Sequence, residues 1–458
     1  MKNPFSINPV ALRELRQLVR SKVVTVGLAV FPGILFVFTM LAVSTAMRDK
    51  PPEELAFGDG LGTGPFTMIA VMTGLVACLG IPFYAAMKAI IETKRDATGL
   101  EFTTALTPAN IVGGRLVATA ILIGATVATS MPFFIFAYLL RGIPLETVFL
   151  VPFELFAFGL STFAVSLSVA CRHGVVAFKV VATALLFFLM LIFGPIAGSL
   201  YSVNSGGPDV PSPLTIATVI GLVLAATLVF FRAYCASFLA PPHVDGERPF
   251  RRVVFALFLL SAAMSFCGRK ACAAWCITWV SVAGVLLVQS ALSPREIPRA
   301  AAGSAPQGFL RRLLAFPFTT GAVPGMFFAI AIVSIAGAVF SLIEDSDRVF
   351  VLWSVVAELT FVPVLVGSLL RRAKALPRTY RISGFIMAAL LVFISLISFM
   401  AEIGAISSDA GEMLPCNFAG ISKMPLNHFR TYFVFLVATF AITAVSSIFA
   451  FRKYRKPA

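Results

Sequence analysis

The sequence predicts an all-α, polytopic helical membrane protein with about twelve transmembrane helices and both termini cytoplasmic. Three observations carry this. With 59% hydrophobic and 12% charged residues and a mean hydropathy of +0.95, the chain has too little polar side chain to coat a soluble globule of 458 residues. Apolar segments of the roughly 20 residues that cross a hydrocarbon core recur along almost its whole length. Lys and Arg resist translocation, and with the N-terminus inside, 28 of the 36 basic residues fall in the inside segments and none within a span. The expected location is a bacterial inner membrane.

Hydropathy places spans at 23–42, 66–87, 116–140, 148–170, 180–200 and 214–231. A second set follows at 253–266, 271–292, 324–343, 349–370, 382–404 and 432–451. The seventh is short enough to be a re-entrant or tilted segment. This gives an interfacial helix (1–22), a six-span domain (23–231), a cytoplasmic linker (232–252) and a second six-span region (253–458) for which no role follows from the residues. Pro241, Pro242, Gly246 and Pro249 are expected to interrupt the helices flanking the linker.

Ahead of the first span, Asn8 is suited to cap a helix and Pro9 to open it. Leu12, Leu15, Leu18 and Val19 then form an apolar stripe, and Arg13, Arg16 and Arg20 a basic one. That pattern suits a helix lying in the interface, apolar face in the acyl boundary and basic face on the headgroups. An ordinary basic flank on a first span accounts for the same residues about equally well.

The loop between the second and third spans, 88–115, is the most informative stretch. The second span can continue as helix past Glu92 and Arg95 until Gly99 stops it, and Thr107 with Pro108 can start the next helix. Between them Leu100, Phe102 and Leu106 with one acid, Glu101, make a short piece held at the cytoplasmic tip of two long helices. Such a piece suits transmission of force between a cytosolic partner and the membrane core.

The Asn8-Pro9 start with Arg13, Glu14, Arg16 and Arg20, then the acid-base run to Gly99-Leu100-Glu101, then Leu106-Thr107-Pro108 and Gly114-Arg115, resembles the permease subunits of type 2 ATP-binding cassette exporters. The likeness covers the first six spans. It implies that residues 8–20 are a connecting helix in the membrane interface. It also implies that Glu92, Arg95, Gly99, Leu100, Glu101, Phe102, Leu106, Thr107 and Pro108 form the element coupled to the ATPase. The partner implied is a separate ATP-binding cassette ATPase that holds the ATP and Mg, with a homodimer or heterodimer of permeases in the bilayer and no cofactor on this chain. Consistently, the sequence contains no Gly-x-x-x-x-Gly-Lys-Ser/Thr phosphate loop. The second half does not repeat the acid-base, Gly-Leu-Glu, Thr-Pro order.

Other features weigh less. Glu154, Glu358 and Glu402 fall within spans, and an ionisable residue there is a candidate for a substrate path, Glu154 and Glu358 above all, or for a structural bond. A proton-coupled secondary transporter using such a Glu is the alternative function. Pro32, Pro82, Pro132, Pro195 and Pro363 suggest kinks. Trp275, Trp279 and Trp353, near outer span ends, read as headgroup anchors. His243, Asp245 and Glu247, and the Asp345–Asp347 pair, are better read as solvated side chains than as metal ligands. Seven cysteines make no framework; a Cys267–Cys272 disulfide is possible, with apolar packing favoured. The charge of +15 is the cytoplasmic rim, and no basic patch interleaved with aromatics suggests nucleic acid. No constellation of residues suggests an enzyme; 309–314, Phe-Leu-Arg-Arg-Leu-Leu, suits a second interfacial helix.

Overall fold

A computed structural model describes residues 8–49, 61–94, 107–171, 183, 213–240, 246–263, 269–291, 309–319 and 321–343. The described residues are helical, without strands, and six helices are long and apolar enough to cross a membrane. These are Lys22–Arg48, Thr63–Glu92, Pro108–Leu139, Leu145–Cys171, Thr218–Leu239 and Ala322–Leu342. The last three predicted spans, and all of the fifth except residue 183, lie outside the described residues. The chain divides into two compact units, Met1–Leu239 and Ala240–Ala458.

The first unit begins with α1 (Pro9–Arg20) and α2 (Lys22–Asp49). Next comes a composite span: α3 (Thr63–Gly74), a π-helical segment (Leu75–Gly80) and α4 (Ile81–Lys94). Then follow α5 (Pro108–Leu139), α6 (Leu145–Cys171) and α7 (Pro213–Leu239). The third span thus starts at Pro108, earlier than hydropathy places it, because Thr107 and Pro108 set the helix start while hydropathy sees only the apolar part. Apolar residues fill the interior in layers. Phe31, Leu35, Ile69 and Phe134 form one cluster, with the rings of Phe66 and Phe134 edge-to-face at 5.2 Å. Ala77, Ile123, Val127 and Leu160 form another, and Ile90, Val112, Phe163 and Leu167 a third. Hydroxyls within these apolar helices return to their own backbone, as Thr126 Oγ1 does to the Leu122 carbonyl at 3.1 Å and Ser166 Oγ to Thr162 at 2.7 Å.

The predicted proline distortion at Pro82 takes the form of the π segment. Proline has no N–H for the carbonyl four residues back and its ring crowds that carbonyl. The ladder widens before it, so that Ile81 N–H donates to Val76, five residues back. Gly159 lets α6 close on this widened turn, since a Cβ there would stand 2.6 Å from the Ala77 carbonyl oxygen. Cys78 Sγ donates across to the Leu155 carbonyl at 3.4 Å.

The second unit holds α8 (Glu247–Ala262), α9 (Arg269–Ala291), α10 (Phe309–Ala315), a 3₁₀ turn (Phe316–Phe318) and α11 (Ala322–Ile343). Three expectations are corrected here. The helix expected at 253–266 is the 16-residue α8, which starts at Glu247. Pro249 therefore does not interrupt it but sits in its first turn, where the missing N–H has no intrahelical acceptor. Trp275 and Trp279 are buried rather than anchored at a headgroup layer: both indole N–H groups donate to Ser261 Oγ, at 2.9 and 2.7 Å, and both rings pack on Phe258. Glu247 is not a solvated side chain, as it pairs with Arg251 at 2.6 Å and accepts from Gly321 N at 3.2 Å. Cys272 is a free, buried thiol.

Candidate functional site

The first unit gathers its buried charges at one place, where α1, the end of α4 and the start of α5 meet. Asn8 opens the assembly. Its Oδ1 accepts from Val10 N at 3.0 Å, capping α1, while its Nδ2 donates to the Asn110 carbonyl of α5 at 2.6 Å. One turn on, a Cβ at Gly114 would lie 2.7 Å from Val10 Cβ and 2.9 Å from Ala11 N, so glycine is what allows α1 to reach α5. Leu18 packs with Ala118 and Leu122 further along, and Ser21 Oγ meets Tyr84 OH at 3.2 Å.

This docking sorts α1 into three faces rather than the two expected. Val10, Ala11, Glu14 and Leu18 are buried against protein. At about 100° per residue, Leu12 and Val19 point well away from that face, and Val19 is 74% exposed. Arg16 and Arg20 lie beyond them, also exposed. The predicted apolar stripe is therefore split, with Leu18 turned to protein and Leu12 and Val19 turned outward.

Glu14 stands in the middle of the protein face. Lys88 Nζ of α4 is 2.6 Å from its Oε2, Arg13 Nη2 is 3.4 Å from its Oε1, and Arg115 Nε of α5 is 3.8 Å from its Oε1. Glu92, one turn after Lys88, takes Arg115 Nη2 at 3.1 Å and Lys88 Nζ at 3.8 Å. Glu14 and Arg115 side chains are each 7% exposed. Two carboxylates and two inner cations balance one another, which is the condition for keeping charge out of water at tolerable cost. Arg115 Nε is buried without a hydrogen-bond acceptor, and a small cavity opens beside these four side chains, Thr119 and Phe163. From the other side, Arg232 Nε of α7 donates to the Ala109 carbonyl at 3.3 Å.

Of the residues implicated by sequence, Glu92 near the end of α4 and Thr107 and Pro108 at the start of α5 flank residues 95–106, which lie outside the described residues. Thr107 caps α5 through its backbone carbonyl, which accepts from Asn110 and Ile111, while its side chain makes no capping bond. Pro9 is the first residue of α1. Glu154 is half-buried in α6, apart from the charge cluster. Arg95, Gly99, Leu100, Glu101, Phe102, Leu106, Glu358, Glu402 and Trp353 lie outside the described residues. Sequence reasoning missed Lys88 and Arg115 as partners of Glu14. The available signal was the spacing of Val10, Glu14 and Leu18, which puts a lone acid in line with two apolar residues four apart on a basic helix.

The arrangement defines a class: the described residues are all helical and include six helices long and apolar enough to cross a membrane, as a multi-pass membrane protein requires. Compared with protein-family models, curated proteins and solved structures, the chain matches none.

Proposed function

We propose that this chain is the membrane-spanning permease component of an ATP-binding cassette transporter, an exporter, driven by a separate ATPase subunit. The observation that supports this reading most is the charge cluster. Glu14 on α1 is bonded to both stems of the 95–106 loop, through Lys88 on α4 and Arg115 on α5. A push on that loop from a cytosolic partner is then carried by three helices at once instead of bending one. In this role Leu100, Phe102 and Leu106 fill a groove on the ATPase, with Glu101 at its rim.

The test is co-purification of the ATPase with wild type and with Phe102→Ala, together with ATP turnover of the complex. Truncating a central anchor of this kind costs about 1 to 4 kcal/mol of binding, so the complex should weaken while insertion and topology persist. Transport by the wild type without any ATPase, driven by a proton gradient, would overturn the proposal in favour of a secondary transporter.

A further inference from the structure

The helices α5 and α11 bury the same face in the same register. At a spacing of 210 residues, the sequence of buried, half-buried and exposed positions along 111–130 recurs along 321–340 at every position but one, where Ile121 is exposed and Ala331 half-buried. Helical period alone fixes that one face is buried; it does not fix the half-buried flanks through more than five turns. Residue identity hides the relation. Leu116, Leu122 and Ile123 correspond to Met326, Ile332 and Val333, whereas Thr119, Thr126 and Ser130 correspond to Ala329, Ala336 and Phe340.

The charged joint recurs as well, with its arginine supplied from another helix. In this register Arg115 corresponds to Gly325, and a Cβ at Gly325 would stand 2.6 Å from Arg251 Nη2. The Arg251 guanidinium from α8 and the Ser290 side chain from α9 together thus occupy the space where a side chain from α11 would emerge. Arg251 pairs with Glu247 at 2.6 Å and donates to the carbonyls of Pro317 at 3.0 Å, Thr319, and Gly321 at 2.9 Å. In the first unit an acid of α1 thus pairs with Arg115 of α5, while in the second both members of the pair lie on α8 and hold the chain ahead of α11 through the carbonyls of Pro317, Thr319 and Gly321 and the Gly321 N–H.

We infer that the second unit is a diverged second copy of the first, with the segments ahead of α5 and α11 both cytoplasmic, so that one chain carries two units for docking the ATPase. The docking part rests on the function proposed above. The segment just ahead of α11, where Leu310 and Leu314 are each 66% exposed beside the exposed Arg311, stands in chain order where 95–106 stands ahead of α5. It is the docking element for a second copy of the same ATPase, whose apolar groove would take Leu310 and Leu314 as it takes Leu100, Phe102 and Leu106 of the first element.

Two measurements test this. Thr107→Cys and Leu310→Cys, both at exposed positions, are labelled with a membrane-impermeant maleimide in right-side-out and inverted vesicles. Both should react from the cytoplasmic face only; reaction from opposite faces overturns the duplication whatever the partner. The wild-type complex is then weighed in nanodiscs. Two ATPase subunits per permease chain are expected, falling to one in Leu310→Asp/Leu314→Asp. One ATPase per wild-type chain overturns the inference and leaves the proposed function standing. A ratio unchanged by the Leu310/Leu314 variant shows that these leucines face lipid and overturns the second docking element. If no ATPase is retained at all, the proposed function falls with the docking count, and the labelling decides the duplication alone.

Discussion

Glu14→Gln should undock α1. The substitution keeps the shape and removes the charge, leaving Lys88 and Arg115 to share Glu92. Breaking a buried ion pair from one side costs about 3 to 5 kcal/mol. Lys88 is 23% exposed and recovers some hydration, which places the loss near the lower end, about 3 kcal/mol. At about 1.4 kcal/mol per decade, the population of undocked α1 rises roughly 100-fold. Ala11, buried against α5, is a suitable reporter: the labelling rate of Ala11→Cys by a soluble maleimide should rise by about that factor when Glu14→Gln is added. Exchanging the charges, Glu14→Lys with Lys88→Glu, should not restore the protection, because it re-forms the 2.6 Å contact but sets a cation beside Arg115 and a carboxylate beside Glu92, each at 3.8 Å. An unchanged labelling rate in Glu14→Gln would refute the reasoning, since α1 would then be held by apolar contact alone.

Gly114→Val should displace α1 without touching any charge. Its side chain would enter the space of Val10 and Ala11, an overpacking cost of about 1 to 3 kcal/mol read by the same reporter. In the second unit, Ser261→Ala removes the shared acceptor of two buried indoles, a cost of about 1 to 3 kcal/mol for each donor left unpaired. Thermal unfolding in detergent followed by tryptophan fluorescence should show a lowered midpoint, and an unchanged midpoint would mean that both N–H groups find other acceptors.

Helix positions were legible where composition and turn chemistry agree. Thr107-Pro108 marks the start of α5 and Asn8-Pro9 the start of α1, since a cap and a proline act locally and need no tertiary information. The joint was less legible. Lys88 and Arg115 read as loop cations because a one-dimensional window cannot tell a charge at a helix end in water from one turned inward onto an acid 74 or 101 residues away in the chain. Trp275 and Trp279 were misread for a related reason: an indole near a span end suits a headgroup layer, but these two meet a hydroxyl on α8. The likeness between α5 and α11 was invisible because hydroxyl-bearing positions in one are apolar in the other, while the backbone register stays the same.

The π segment makes the second span a helix that holds one residue more than its length requires. A single-residue deletion within 75–80 lets the widened turn relax to α geometry with the flanking faces still aligned. The same deletion between Pro82 and Lys88 turns every following side chain by about 100°. Lys88 and Glu92 would then swing off Glu14 and Arg115. The span therefore has one place where its length can change by a residue without rotating the charged joint, and Gly159 on α6 is shaped to it.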